Sequence, residues 1–196
     1  YVISTRAHNT VMVDGMEQGL RGRPREEYVV SEPLPHTWVS QPDFDYASAS
    51  YGEGYGPMRD RTVTHTRSIL FVKPDLWIVA DFLKPSNDAQ HTYEAMFHLD
   101  SKASRVVGNG RGVETQNKAG GNLGIYTLAT GKVETKVVSG QEEPAVQGWI
   151  PRGGPYECQP IPTAIFRTEG AGPVVMAYAL CPISEGALPP VSYLEH

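Results

Sequence analysis

Breakers limit how long any regular element in this chain can be. The 196 residues include 20 Gly and 16 Pro, spread along the whole length instead of gathered in a linker. A helix of three or more turns would be interrupted almost everywhere, whereas strands of about five residues fit between the breaks. The apolar pattern agrees, since no segment holds apolar residues at three-and-four spacing over three turns. Thr10 to Val13 ends at the turn pair Asp14-Gly15, and Phe44 to Tyr51 alternates until Gly52, Gly54, Gly56 and Pro57 force a loop. Val63 to Val72 and Leu76 to Leu83, joined through Lys73-Pro74-Asp75, read as a hairpin. Short edge-like pieces are expected at Glu27 to Ser31 and Thr37 to Ser40, separated by Pro33 and Pro35. Further strands are expected at His91 to Leu99, Ser104 to Val107, Val113 to Gln116, Leu123 to Thr130, Val133 to Val138, Thr163 to Thr168 and Val174 to Cys181. About a dozen short strands at roughly ten-residue intervals predict an all-β fold, an antiparallel β-sandwich with little or no helix. Composition does not shift along the way, so residues 1–193 are expected to form a single domain.

Charge excludes one large class of partner. Lys and Arg number 17 against 22 Asp and Glu, a net charge of −5, where a nucleic-acid-binding module would carry a basic face. No apolar run approaches the ~20 residues of a membrane-spanning helix. Cys158 and Cys181 match no C-x-x-C metal spacing and read as small core residues or one optional bridge. The chain opens at Tyr1 without an initiator Met, so residues upstream are expected to be missing. Residues 194–196, Leu-Glu-His, read as the start of a vector-encoded polyhistidine tail, which sets His196 aside. His8, His36, His65, His91 and His98 remain.

Three motifs in order carry a family resemblance. Arg6-Ala7-His8-Asn9-Thr10-Val11-Met12-Val13-Asp14-Gly15, with Gln18 after it, resembles the segment that opens the C-terminal β-sandwich of heparinase II/III-like polysaccharide lyases. Thr64-His65-Thr66-Arg67, running through Pro74 into Trp77-Ile78-Val79-Ala80-Asp81, resembles that family's His-x-Arg strand and the strand after it. His91 through Phe97-His98-Leu99 is the third match, and beyond Lys102 the resemblance is one of architecture. What it implies is a larger enzyme whose N-terminal (α/α) toroid supplies part of the catalytic site. Such enzymes cut uronic-acid-containing polysaccharides by β-elimination. This chain alone would then be inactive. A periplasmic or secreted setting and an acidic polysaccharide partner follow from the same resemblance.

The resemblance also suggests a site. It implies one divalent metal, zinc before calcium, on His8, His65 and a carboxylate. In the expected hairpin of Phe44 to Tyr51 with Val63 to Val72, Asp45 would fall beside His65, with Asp43, Glu26 and Glu27 as competitors because one residue of slip reverses the facing. Two imidazoles and a carboxylate suit zinc. His8 is alternatively a catalytic histidine, or a hydrogen-bonded strand-end residue. Some relatives carry His where this chain has Arg6, which could pair with a uronate carboxylate but stays protonated and could not act as a base. Tyr51, Tyr55 and Trp149 are candidate sugar contacts, with core packing as the alternative. Arg21, Arg23, Arg25, Arg59, Arg61 and Arg67 are the cations available to a polyanion. His91 and His98, seven apart on one strand, are expected on opposite faces in structural roles. Two other readings stay open: a non-catalytic carbohydrate-binding or structural sandwich, and a cupin-like metal enzyme. The latter would need His-x-His where Arg6-Ala7-His8 stands.

Overall fold

A computed structural model describes residues 1–18, 34–154 and 157–183. The expected strand at Glu27 to Ser31, the cations Arg21, Arg23 and Arg25, the carboxylates Glu26 and Glu27, and residues 194–196 lie outside the described residues. Fourteen strands follow in order: β1 (Val11–Val13), β2 (His36–Ser40), β3 (Phe44–Tyr51), β4 (Val63–Val72), β5 (Leu76–Pro85), β6 (Gln90–His98), β7 (Ser104–Val107), β8 (Gly112–Thr115), β9 (Asn122–Thr127), β10 (Glu134–Val138), β11 (Trp149–Pro151), β12 (Cys158–Pro160), β13 (Thr163–Ala171) and β14 (Val174–Ile183). Among the described residues helical geometry is confined to the single 3-10 turn Thr5–Ala7, while Gly108–Gly110 is a tight turn with positive φ at all three residues. The fold is an all-β, antiparallel sandwich, as the breaker spacing predicts.

Two main sheets form the layers. The smaller runs β1-β6-β13-β10 and the larger runs β2-β3-β4-β5-β14-β9-β8-β7, with β11-β12 as a separate ribbon. Alternation decides which side chains meet between them. From the small sheet Val11, Val13, Tyr93, Ala95, Phe97, Ala164 and Phe166 point inward, and from the large one Val63, Leu83, Val113, Ile125, Met176 and Tyr178 meet them, all at most 5% exposed. Phe97, Phe166 and Tyr178 form a triangle of rings, 6.0, 4.9 and 5.0 Å apart. Each such ring takes about 150–250 Å² out of water, or roughly 4–6 kcal/mol before ordering costs. The opposite residues of the small sheet, Met12, Met96 and Ile165, form a second cluster with Val138 on its outer side. His98 lies on that outer side and His91 on the inner one, so their expected opposite facing holds.

The hairpin of β4 and β5 pairs Val72 with Leu76 and Arg67 with Asp81. Next to it, β3 pairs Tyr51 with His65 and Asp45 with Phe71. This register corrects the placement of Asp45. Residues close to the connecting loop pair first, so Tyr51 meets His65, and Asp45 sits six residues back along β3, about 20 Å away at ~3.3 Å per residue.

Candidate functional site

The motif at the front of the chain becomes the end of an edge strand. The 3-10 turn Thr5–Ala7 closes with the His8 N–H on the Thr5 carbonyl at 3.1 Å, and the chain then extends into β1, the outermost strand of the small sheet. His8 is exposed, and its Nδ1 lies 2.8 Å from the Ser4 carbonyl. A carbonyl only accepts, so Nδ1 carries the proton and the lone pair of the neutral ring is on Nε2. That is the tautomer a solvent-facing base or metal ligand needs. Arg6 Nη2 reaches the Gly15 carbonyl at a long 3.5 Å.

Asn9 ties this turn to both sheets. Its Oδ1 accepts from the His98 backbone N–H at 2.8 Å and faces His98 Nδ1 at 3.0 Å. Since that amide can only donate, the Asn9 atom is its oxygen, and His98 Nδ1 is protonated in turn. His98 Nε2 then accepts from the Tyr1 hydroxyl at 3.2 Å, with Gln147 Nε2 at 3.4 Å. Gln147 also donates to the Arg6 carbonyl at 2.9 Å. Burial lowers the His98 pKa, outweighing an opposing bond to the Arg6 carbonyl, and burial raises that of Tyr1. The pair is therefore a neutral imidazole and a neutral phenol.

The Asn9 carbonyl accepts from Arg67 Nη1. The rest of the Arg67 guanidinium grips Asp81, Nε to Oδ1 at 2.6 Å and Nη2 to Oδ2 at 2.8 Å, and His65 Nε2 bonds the same Oδ1 at 2.6 Å. Asp81 is wholly buried. Burial alone would raise its pKa, but the bonds from His65 and Arg67 outweigh it and hold the carboxyl below its ordinary value.

The remaining candidates fall out as follows. Tyr55 is 1% exposed in the core, its pKa pushed well up by burial, and this corrects its reading as a sugar contact. Tyr51 packs edge-on against Tyr55 at 5.6 Å and spends its hydroxyl on the Gly54 carbonyl at 2.7 Å, a loop strut. Trp149 is half-buried, with its indole N–H on the Gln141 carbonyl at 3.0 Å. Asp45 is held by Ser40 at 2.7 Å and by Lys73 at 3.0 Å, and these bonds lower its pKa. The carboxylate beside His65 is Asp81. Arg59 and Arg61 share the single carboxylate of Glu53 at 3.1 and 2.8 Å, which offsets one of their two charges, and Arg67 is paired with Asp81. Among the described residues no three His, Cys, Asp or Glu side chains gather as a metal site. Tyr1, Gln147 and His98 were missed as members of the cluster, because only the fold brings positions so far apart in sequence together.

An all-β antiparallel sandwich whose edge strand opens on an exposed histidine, with Arg67 joining the buried Asp81 to the Asn9 carbonyl, is the arrangement that comparison with known proteins places. Residues 1–172 match the family described as heparinase II/III-like, C-terminal, and the chain belongs to that family. Among solved structures it is similar to the heparan sulfate lyase HepC from Pedobacter heparinus, at 17% identity and a TM-score of 0.70 over 94% of this chain and 25% of that one. It is also similar to the heparinase III BT4657 gene product, at 14% identity and a TM-score of 0.67 over 91% of this chain and 24% of that one. The chain thus spans about a quarter of the length of these proteins. No curated protein matches.

Proposed function

We propose that this chain is the β-sandwich part of a polysaccharide lyase that cleaves uronic-acid-containing glycans by β-elimination. The observation that carries the reading is His8, exposed at the end of the edge strand with its Nδ1 proton on Ser4 and its Nε2 lone pair turned to solvent, in a chain of the heparinase II/III-like family. In the elimination a base takes the C5 proton, the uronate carboxylate is neutralised so that this proton becomes acidic, and an acid protonates the departing glycosidic oxygen. His8 is suited to a proton-transfer role, and Arg6 to pairing with the carboxylate. The other catalytic groups belong to an N-terminal (α/α) toroid of the same protein, so the chain alone is inactive. A divalent metal, zinc before calcium, is the alternative role for His8, because a ring nitrogen that holds a metal cannot also move a proton. His8 Nε2 is the ring nitrogen left by Ser4, and His65 Nδ1 the one left by Asp81, whose bond to the opposite nitrogen is the arrangement that orients a metal-ligating imidazole. Glu26 and Glu27 stand as the carboxylate candidates. Bound there, the metal would contribute positive charge beside the edge strand. The setting is periplasmic or secreted.

The test incubates the full-length protein and this chain, side by side, with a panel of uronate polysaccharides while near-ultraviolet absorbance follows the unsaturated uronate. A rise with the full-length protein alone supports the reading. Silence from both across the panel overturns it in favour of a binding or structural sandwich.

A further inference from the structure

We propose that Arg67 is a positioning residue, which fixes the His8-Asn9 turn of the small sheet at a set place above the large sheet. Its guanidinium has three working nitrogens. Nε and Nη2 hold both oxygens of the buried Asp81 on the neighbouring strand, and Nη1 reaches out of the sheet to the backbone carbonyl of Asn9. The Asp81 carboxylate is itself immobilised by His65, so the fork has a rigid base. Beyond the fork, the Asn9 side chain takes both the backbone and the ring of His98. One continuous path therefore runs His65, Asp81, Arg67, Asn9, His98, Tyr1, and His8 directly precedes Asn9 in the chain. An edge strand of three residues has few ladder bonds of its own to fix where its end lies. A fork that binds in two directions at once supplies the missing constraint, and lysine, a point charge on a flexible stem, can serve only one direction.

The functional consequence rests on the lyase reading, but the positioning does not, so two readouts keep them apart. In the 196-residue chain, Arg67→Lys should preserve the melting temperature far better than Arg67→Gln, because the charge opposite Asp81 is kept. The same Arg67→Lys should nevertheless speed amide exchange at His98 and Thr10 about tenfold, the equivalent of one lost hydrogen bond, and shift the ring nitrogen signals of His8 and His98. Lysine restoring exchange rates and ring signals to those of the parent would reduce Arg67 to a counter-ion and overturn the proposal. In the full-length protein, Arg67→Lys should lower kcat with KM little changed. An inactive parent refutes the lyase reading and leaves the exchange test standing, while unchanged kcat in an active parent refutes the functional role of the positioning.

Discussion

Asp81→Asn is the substitution whose outcome the structure specifies most fully. The carboxylate is 0% exposed and receives three charge-assisted bonds, one from His65 and two from Arg67, at 2.6 to 2.8 Å. Asparagine keeps the volume but removes the charge, and its amide nitrogen turns one of those donors into a donor-donor clash. Breaking a buried pair from one side costs about 3–5 kcal/mol. For a chain of this size each kcal/mol lowers Tm by roughly 2–4 °C, so the loss should be about 6–20 °C in calorimetry. The acid limb gives an independent reading. Because the folded-state pKa of Asp81 lies below its unfolded value, this stabilisation is complete above the ordinary carboxylate range and disappears as pH falls through the folded pKa. The variant should therefore lose stability at neutral pH and show a shallower decline below about pH 4 than the parent. A Tm within ~2 °C of the parent at pH 7, with the same acid limb, would refute the idea that this buried cluster contributes several kcal/mol to the fold.

Four further outcomes follow from other parts of the molecule. Because burial depresses the His98 pKa, the unfolded chain binds its proton first, so stability should fall as pH drops below about 6.5; His98→Gln should flatten that slope in pH-dependent urea melts. Gly148 has φ of +78°, and a Cβ there would meet the Ser139 Cα and the Val138 oxygen at 2.8 Å. Gly148→Ala should therefore cost roughly 1–3 kcal/mol in denaturant titration. Phe166→Ala, which removes the ring packed against both Phe97 and Tyr178, should cost about 3–5 kcal/mol by the same measurement. Asp45→Ala should leave the denaturation midpoint close to that of the parent, because its bonds to Ser40 and Lys73 lie at the solvent-facing surface.

The hairpins were legible because both signals they need are local. Alternation in Phe44 to Tyr51 and Val63 to Val72 marks the strands, and the breakers between them mark the turns. The two three-residue strands β11 and β12 were not, since Trp149–Pro151 and Cys158–Pro160 are too short and too rich in Pro for a pattern to show. At the site, His8 and His65 stand out by motif, but their real partners do not. Asp81 looks like a strand residue until the pairing of β4 with β5 sets it opposite Arg67. Asp45 looked closer to His65 because a hairpin drawn on paper has no register, and six residues of offset are invisible until it has one. His98, Tyr1 and Gln147 come from three distant parts of the chain, so their meeting is a property of the packed sheets alone.

The place of the last strand has a consequence for how the protein is made. In the large sheet β14 lies between β5 and β9, so until it arrives β2 to β5 and β7 to β9 are two separate ribbons, each with an open edge. In the small sheet β13 likewise joins β6 to β10. A chain emerging from the ribosome therefore cannot close either sheet until β13 and β14 are free, which makes folding non-local. Its exposed edges must be kept apart from those of other chains in the meantime. A truncation before Thr163 would lose more than two strands: it would leave both sheets permanently unjoined.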